Sequence, residues 1–166
     1  MRSPRWLCGT RTSTKSLNRR GVALPVPEPG LVISYSYLWR SEYEQGREEG
    51  VKDRPCAIIL VTAETEGKTV VTVVPITHTP PQPEAEAIEI PPVVKRRLGL
   101  DVDRSWAVAS EVNRFVWPGP DLRPVSRGEP DRFDYGLLPP ALYRRIRDRL
   151  LACAAAQRIG IVPRTE

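Results

Sequence analysis

Arg54, Thr77 and His78 are the residues of this chain whose types and spacing point most directly to chemistry. A guanidinium is a permanent cation whose rigid fork of donors matches a pair of phosphate oxygens. A threonine hydroxyl can donate to another oxygen of the same group. The single histidine brings an imidazole, the side chain most often used to carry a proton in catalysis. Together the three describe an anion or phosphate site. His78 follows Thr77 on an extended chain, so its side chain is expected on the opposite face, where a structural or surface role is the alternative. Arg54 also has a purely structural alternative, an ion pair with Asp53, Glu48 or Glu49.

The elements that must position these groups lie in the stretch from Lys52 to Thr77, KDRPCAIILVTAETEGKTVVTVVPIT. Cys56 to Thr62 and Thr69 to Ile76 are apolar, β-branched runs, and the charged turn Glu64 to Lys68 between them contains Gly67, which together predict a β-hairpin. Because the strands are antiparallel, the start of the first lies beside the end of the second. Arg54 is therefore expected near Thr77 and His78. Pro55 and Pro75 cannot donate ladder hydrogen bonds and mark the limits of regular pairing.

The rest of the chain is read around that hairpin. At 166 residues it has the length of one domain with a sizeable core. The formal charge of +5 suggests nucleic acid until its location is considered. Residues 1–20 hold six basic groups and no acid, and the remainder carries 19 basic and 20 acidic groups. Residues 1–24 read as a disordered basic tail, with an organellar transit peptide as the alternative, and residues 25–166 as one domain. Cys8, Cys56 and Cys153 form no CxxC pair, and a single histidine cannot complete a usual structural zinc site. No metal or cofactor is expected. A Cys56–His78 nucleophile pair is disfavoured because Cys56 falls inside a strand, and free thiols fit a reducing cytoplasm best. No apolar run approaches the ~20 residues needed to span a bilayer.

Leu31 to Trp39 is an apolar, aromatic strand, and the charged segment Arg40 to Gly50 is a loop or a lid over the Arg54 end, with a helical turn near Glu42 to Gln45. A short strand at Ala87 to Ile90 precedes a helical turn begun by Pro91-Pro92 and stopped by Gly99. Its cations Lys95, Arg96 and Arg97 either complement the helix dipole or contact a phosphate backbone. Ser105 to Val112 reads as a strand, Leu122 to Val125 as a last short one, and Ala141 to Arg158 as a helix with Leu142, Ile146, Leu150 and Cys153 on one stripe. This order predicts a mainly β fold with added α: a small antiparallel barrel with a short inserted helix and a C-terminal helix.

The chain resembles the MazF/PemK ribonuclease toxins of bacterial toxin–antitoxin pairs. The resemblance is carried by Pro29-Gly30-Leu31-Val32, by Gly50 to Ala57 with its Arg54-Pro55 pair, by Val74-Pro75-Ile76-Thr77, by Ser105 to Val112, and by a C-terminal helix preceded by Gly136-Leu137. It implies an SH3-like barrel that forms homodimers in the bacterial cytoplasm. It also implies cleavage of single-stranded RNA without metal, and a cognate antitoxin that blocks the groove. Arg54 and Thr77 fall on the family's principal catalytic positions, and His78 is a weaker candidate. Lys52, Arg47, Lys95, Arg96 and Arg97 are the cations expected to meet RNA. The chain departs from the family pattern at Leu31, at Gly46 to Gly50 and in the Pro-rich link from Thr79 to Ala87, which bears on RNA sequence preference. A barrel that binds RNA or protein without cutting it is the alternative. A gyrase-poisoning toxin of the same fold ranks last, because such chains end in Trp-Gly-Ile and this one ends Pro163 to Glu166.

Overall fold

A computed structural model describes residues 17, 20–64 and 66–164. Among the described residues the fold is mainly β: eight strands in one curled, mostly antiparallel sheet, with three α-helices. The strands are β1 (Leu31–Ser36), β2 (Asp53–Ala63), β3 (Thr69–Thr77), β4 (Ala87–Glu89), β5 (Trp106–Val108), β6 (Glu111–Val116), β7 (Asp134–Leu137) and β8 (Gly160–Pro163). The helices are α1 (Arg40–Glu44), α2 (Pro92–Leu98) and α3 (Pro140–Ala155). The main path runs β4-β5-β3-β2-β1-β7, while β6 joins the upper half of β3 and carries β8 parallel beside it.

The strand faces explain the layering. Side chains alternate along a strand, so Val32, Ala57 and Val74 face one way and Ile33, Cys56 and Val73 the other. The first set joins Val94 and Leu98 of α2 and Leu142 and Ile146 of α3 in one apolar cluster. The second set joins Tyr35, Tyr37, Ile58, Val71 and Phe115 in a second apolar cluster. All six residues of β1 are buried, because the sheet is covered on both faces there. Burying each large aliphatic side chain contributes about 1.5–3 kcal/mol, and Leu31, Val32 and Ile33 of β1 are among those buried.

The two longer helices follow their sequence signals. Pro92 and Pro140 stand at the first turns of α2 and α3, where a missing N–H costs nothing. Gly99 closes α2 in the left-handed conformation at φ 69°. Where the fold differs from the sequence reading, a pairing between distant segments decides. Ser105 to Val112 is two strands, since β5 pairs with the Pro75 end of β3 and with β4, whereas β6 turns at Ala109-Ser110 to reach the other end of β3. Leu122 to Val125 forms no strand; Leu122 makes one isolated bridge to Tyr35. β7 and β8 are further strands, each held by a long-range partner. The tail boundary also moves. Leu24 is only 4% exposed, and Leu17 bridges Ala23, so the segment just before Pro25 packs against the domain. Most of the expected disordered tail, residues 1–16, 18 and 19, lies outside the described residues. Among the described residues no helix is long and apolar enough to cross a membrane.

Candidate functional site

Two prolines open the site. The β2–β3 ladder runs from Ala63↔Thr69 down to Cys56↔Pro75 and stops there. Neither Pro55 nor Pro75 has an N–H to extend it. The prolines thus limit the β2–β3 pairing as expected, while the strands themselves continue with other partners. β2 stays with β1 through Ser34↔Pro55, Tyr35↔Arg54 and Ser36↔Asp53. β3 crosses to β5 through Ile76↔Ala107 and Thr77↔Trp106. The fork between them is a cleft of about 740 Å³ whose wall includes Arg54, Thr77 and His78, as the hairpin geometry predicts. Trp39 and Glu42, from the start of the Arg40–Gly50 segment, complete one side, with Lys52 at the edge. The rim of that segment is fixed by Gly50, where a Cβ would lie 2.2 Å from the Tyr37 carbonyl oxygen.

Arg54 is half-buried and lacks an anion. Its guanidinium carbon sits 5.0 Å from the centre of the Trp39 ring, and its Nε is buried with no hydrogen-bond partner. Among the described residues no carboxylate pairs with it. Asp53 instead lies 3.7 Å from Arg123, and the structural pairing with Asp53, Glu48 or Glu49 is not formed. A cation–π contact contributes about 0.5–1 kcal/mol, whereas an unpaired buried donor costs about 1–3 kcal/mol. Stability therefore does not explain the position of Arg54. Thr77 Oγ1 accepts a hydrogen bond from the Thr79 amide at 3.3 Å, which leaves its own proton free to be donated into the cleft.

The cleft wall beside Arg54 is held by two buried devices. Asn113 Nδ2 donates to the Leu38 carbonyl at 2.8 Å and its Oδ1 accepts from the Leu38 amide at 3.0 Å. The side chain thus replaces a missing strand partner at the end of β1 and fixes where Trp39 begins. Glu42 Oε2 then accepts from the Trp39 amide at 3.2 Å, an N-terminal cap for α1. Glu111 accepts a close hydrogen bond from the Arg40 amide, and burial pushes its carboxyl above the usual range despite that bond.

His78 faces a different set of partners. Its Nδ1 lies 3.0 Å from the Arg104 carbonyl oxygen and 3.3 Å from Ser105 Oγ, and its Nε2 lies 3.0 Å from Asp101 Oδ2. Both ring nitrogens thus lie within hydrogen-bond reach of other protein groups. Asp101 in turn accepts from the Lys95 ammonium at 2.8 Å. Lys95 also donates to Ser105 Oγ at 2.7 Å and to the Asp103 carbonyl. Partial burial pushes the Asp101 carboxyl up, but the Lys95 hydrogen bond and the His78 and Lys95 charges outweigh it and hold it below the usual range. Ser105, His78 and Asp101 thus form a chain that looks like a hydrolytic triad, yet Ser105 is only 3% exposed and its hydroxyl faces the Asp103 carbonyl at 3.3 Å. A substrate cannot reach it. Ligand atoms of His78, Asp101 and Asp103 lie within 4.8 Å of one another, and the Lys95 ammonium already supplies positive charge there.

The expected RNA-facing cations separate into three groups. Lys52 lines the cleft. Arg47, Arg96 and Arg97 are exposed but lie outside the cleft wall, the last two on α2. Lys95 is corrected: it is 4% exposed and its ammonium is fully engaged, so no phosphate can contact it. Cys56 and Cys153 are buried free thiols, and burial pushes the Cys56 thiol strongly up, with Arg54 offsetting a little, which removes it as a nucleophile. The sequence reading missed Trp39, Glu42 and Asp101 as site residues. The aromatic end of β1 was the one available sign of Trp39. A second cavity, about 720 Å³ and lined by Leu17, Leu24, Pro118, Leu122 and Phe133 with Arg20, is mostly apolar and holds no comparable cluster. No protein-family model and no curated protein matches this chain.

Proposed function

We propose that the cleft is the active site of an endoribonuclease that cuts single-stranded RNA without metal, as the resemblance to the MazF/PemK toxins implies. The observation that carries this reading is Arg54: a guanidinium that no carboxylate among the described residues pairs, in the same cleft wall as the Thr77 hydroxyl. In such a cleavage the RNA supplies its own nucleophile. The 2′-hydroxyl loses its proton, its oxygen bonds to phosphorus, and the phosphorus–O5′ bond breaks, leaving a 2′,3′-cyclic phosphate and a 5′-hydroxyl that takes up a proton.

Arg54 stabilises the doubly charged phosphorane once its guanidinium turns from the Trp39 ring to the phosphate, and losing such a donor costs about 2.7–4 kcal/mol. Thr77 donates to a second non-bridging oxygen. An arginine is a poor base at neutral pH, with a reference pKa of about 12.5 or higher. Proton acceptance therefore falls to a carboxylate of the same wall, Glu42 or Asp53. His78 would have to release Asp101 or the Arg104 carbonyl before it could act, which places it behind both. Lys52 draws the adjoining phosphate to the rim. A cognate antitoxin would block this cleft, and a two-fold homodimer is the assembly the resemblance implies.

Incubation of the purified chain with a long unstructured RNA in excess EDTA tests the reading. Discrete fragments ending in a 2′,3′-cyclic phosphate are expected. Binding of the RNA with no cleavage would replace the enzyme by the non-cutting barrel.

A further inference from the structure

We propose that Trp39 is a stacking plate for an unpaired nucleobase, so that the cleft accepts one nucleotide as a unit: base on the Trp39 indole, phosphate on Arg54. The inference rests on the reading of the cleft as an RNA site and adds what part of the RNA it grips. A phosphate alone needs only cations, but much of this wall is apolar, with Trp39, Ile76, Pro80 and Val108 beside Lys52 and Arg54. A ligand with a flat apolar face and an adjoining anion fits both halves of that lining.

The plate is held in advance. Asn113 fixes Leu38 through two buried hydrogen bonds, the Glu42 carboxylate holds the Trp39 amide, and the Tyr37 ring meets the indole edge-on at 5.1 Å and 71°. These contacts leave the ring half-buried in the cleft wall. Among the described residues its further aromatic-type partner is the Arg54 guanidinium, a cation that no carboxylate pairs. A nucleotide offers an anion to the guanidinium and a flat π-face to the ring. When Arg54 swings to the phosphate, the ring is freed for the base, and base stacking on an aromatic side chain is stronger than an exposed cation–π contact. Every nucleobase has a π-face, so the plate selects unpaired over paired bases rather than one letter of sequence.

The test is equilibrium binding of the full chain to a fluorescent, unstructured 2′-O-methyl RNA, which cannot be cut, and to copies carrying one abasic residue at each position in turn. Trp39→Leu keeps apolar bulk and Trp39→Phe keeps a ring. Trp39→Leu is expected to weaken binding by about 5- to 150-fold and Trp39→Phe by much less. One abasic position should weaken the wild type by a similar factor and leave Trp39→Leu unaffected. An abasic penalty of equal size in the wild type and in Trp39→Leu would overturn the plate while leaving the RNA reading intact. If Trp39→Leu does not fold, the same coupling is read in Trp39→Phe, where a smaller abasic penalty than in the wild type is expected and an unchanged one overturns the plate. If the wild type binds none of the RNAs, the RNA reading fails and the plate with it.

Discussion

Arg54 and Lys95 are two cations near one cleft, and the fold treats them in opposite ways. Lys95 is buried and spends its donors on Asp101, Ser105 and the Asp103 carbonyl. Arg54 is half-buried, has an orphaned Nε and rests on Trp39, and among the described residues no carboxylate forms an ion pair with it. A satisfied buried cation organises its surroundings: Lys95 holds Asp101, and Asp101 holds His78. An unsatisfied one costs stability and persists where something outside the chain completes it. On that comparison Arg54 belongs to function and Lys95 to structure, although in sequence Lys95 sits in a basic triplet that reads either as a complement to the helix dipole or as a phosphate contact.

The largest expected effect breaks the functional half. Arg54→Ala is expected to slow RNA cleavage about 10²- to 10³-fold without lowering the melting temperature, measured by single-turnover kinetics and a thermal melt on the same preparation. A fall in melting temperature with cleavage preserved would reverse the two roles.

The structural half should break next. Lys95→Met removes the ammonium and leaves the Asp103 carbonyl and Ser105 hydroxyl short of a donor, at about 1–3 kcal/mol. That corresponds to about 2–4 °C of melting temperature per kcal/mol for a domain of this size. RNA affinity measured below the transition should be unchanged.

A smaller effect sharpens the comparison within the cleft. Thr77→Val keeps the shape and removes the hydroxyl, so cleavage should slow less than in Arg54→Ala. An equal loss would make Thr77 a primary group. The smallest effect concerns Glu111, whose carboxyl burial pushes upward. A carboxyl raised in the fold binds its proton more tightly folded than unfolded, so stability falls as pH rises from the ordinary carboxylate range through the raised value. Glu111→Gln keeps an acceptor for the Arg40 amide and removes that dependence. Relative to wild type, the variant should gain stability between about pH 4 and pH 7, read from melts at both.

Much of this was legible in the chain. The hairpin, the proline-led helices, the Gly99 stop and the meeting of Arg54 with Thr77 follow from local pattern and antiparallel geometry. What escaped depends on partners far away in sequence. Pro55 and Pro75 were visible as breaks, but whether a strand ends or changes partner is decided by β1 and β5, not by the proline. The split of β5 from β6 at Ala109-Ser110 and the pairings of β7 and β8 are of the same kind. Lys95, Arg96 and Arg97 are equivalent in sequence, and only the packing of α2 against the loop from Leu100 to Ser105 buries the first of them. Asn113 carries no local sign of its role, because its partner Leu38 is 75 positions away.

The most direct test sets the two cations side by side: single-turnover cleavage of an unstructured RNA in EDTA by the wild type, Arg54→Lys and Lys95→Met, with a thermal melt of each. Arg54→Lys keeps the charge but loses the fork, so it should lose cleavage about 10²-fold or more and keep its melting temperature, while Lys95→Met should melt lower and cut at the wild-type rate while folded. Cleavage by Arg54→Lys at the wild-type rate, or its loss in Lys95→Met alone, would contradict the assignment of Arg54 as the cation that meets the phosphate.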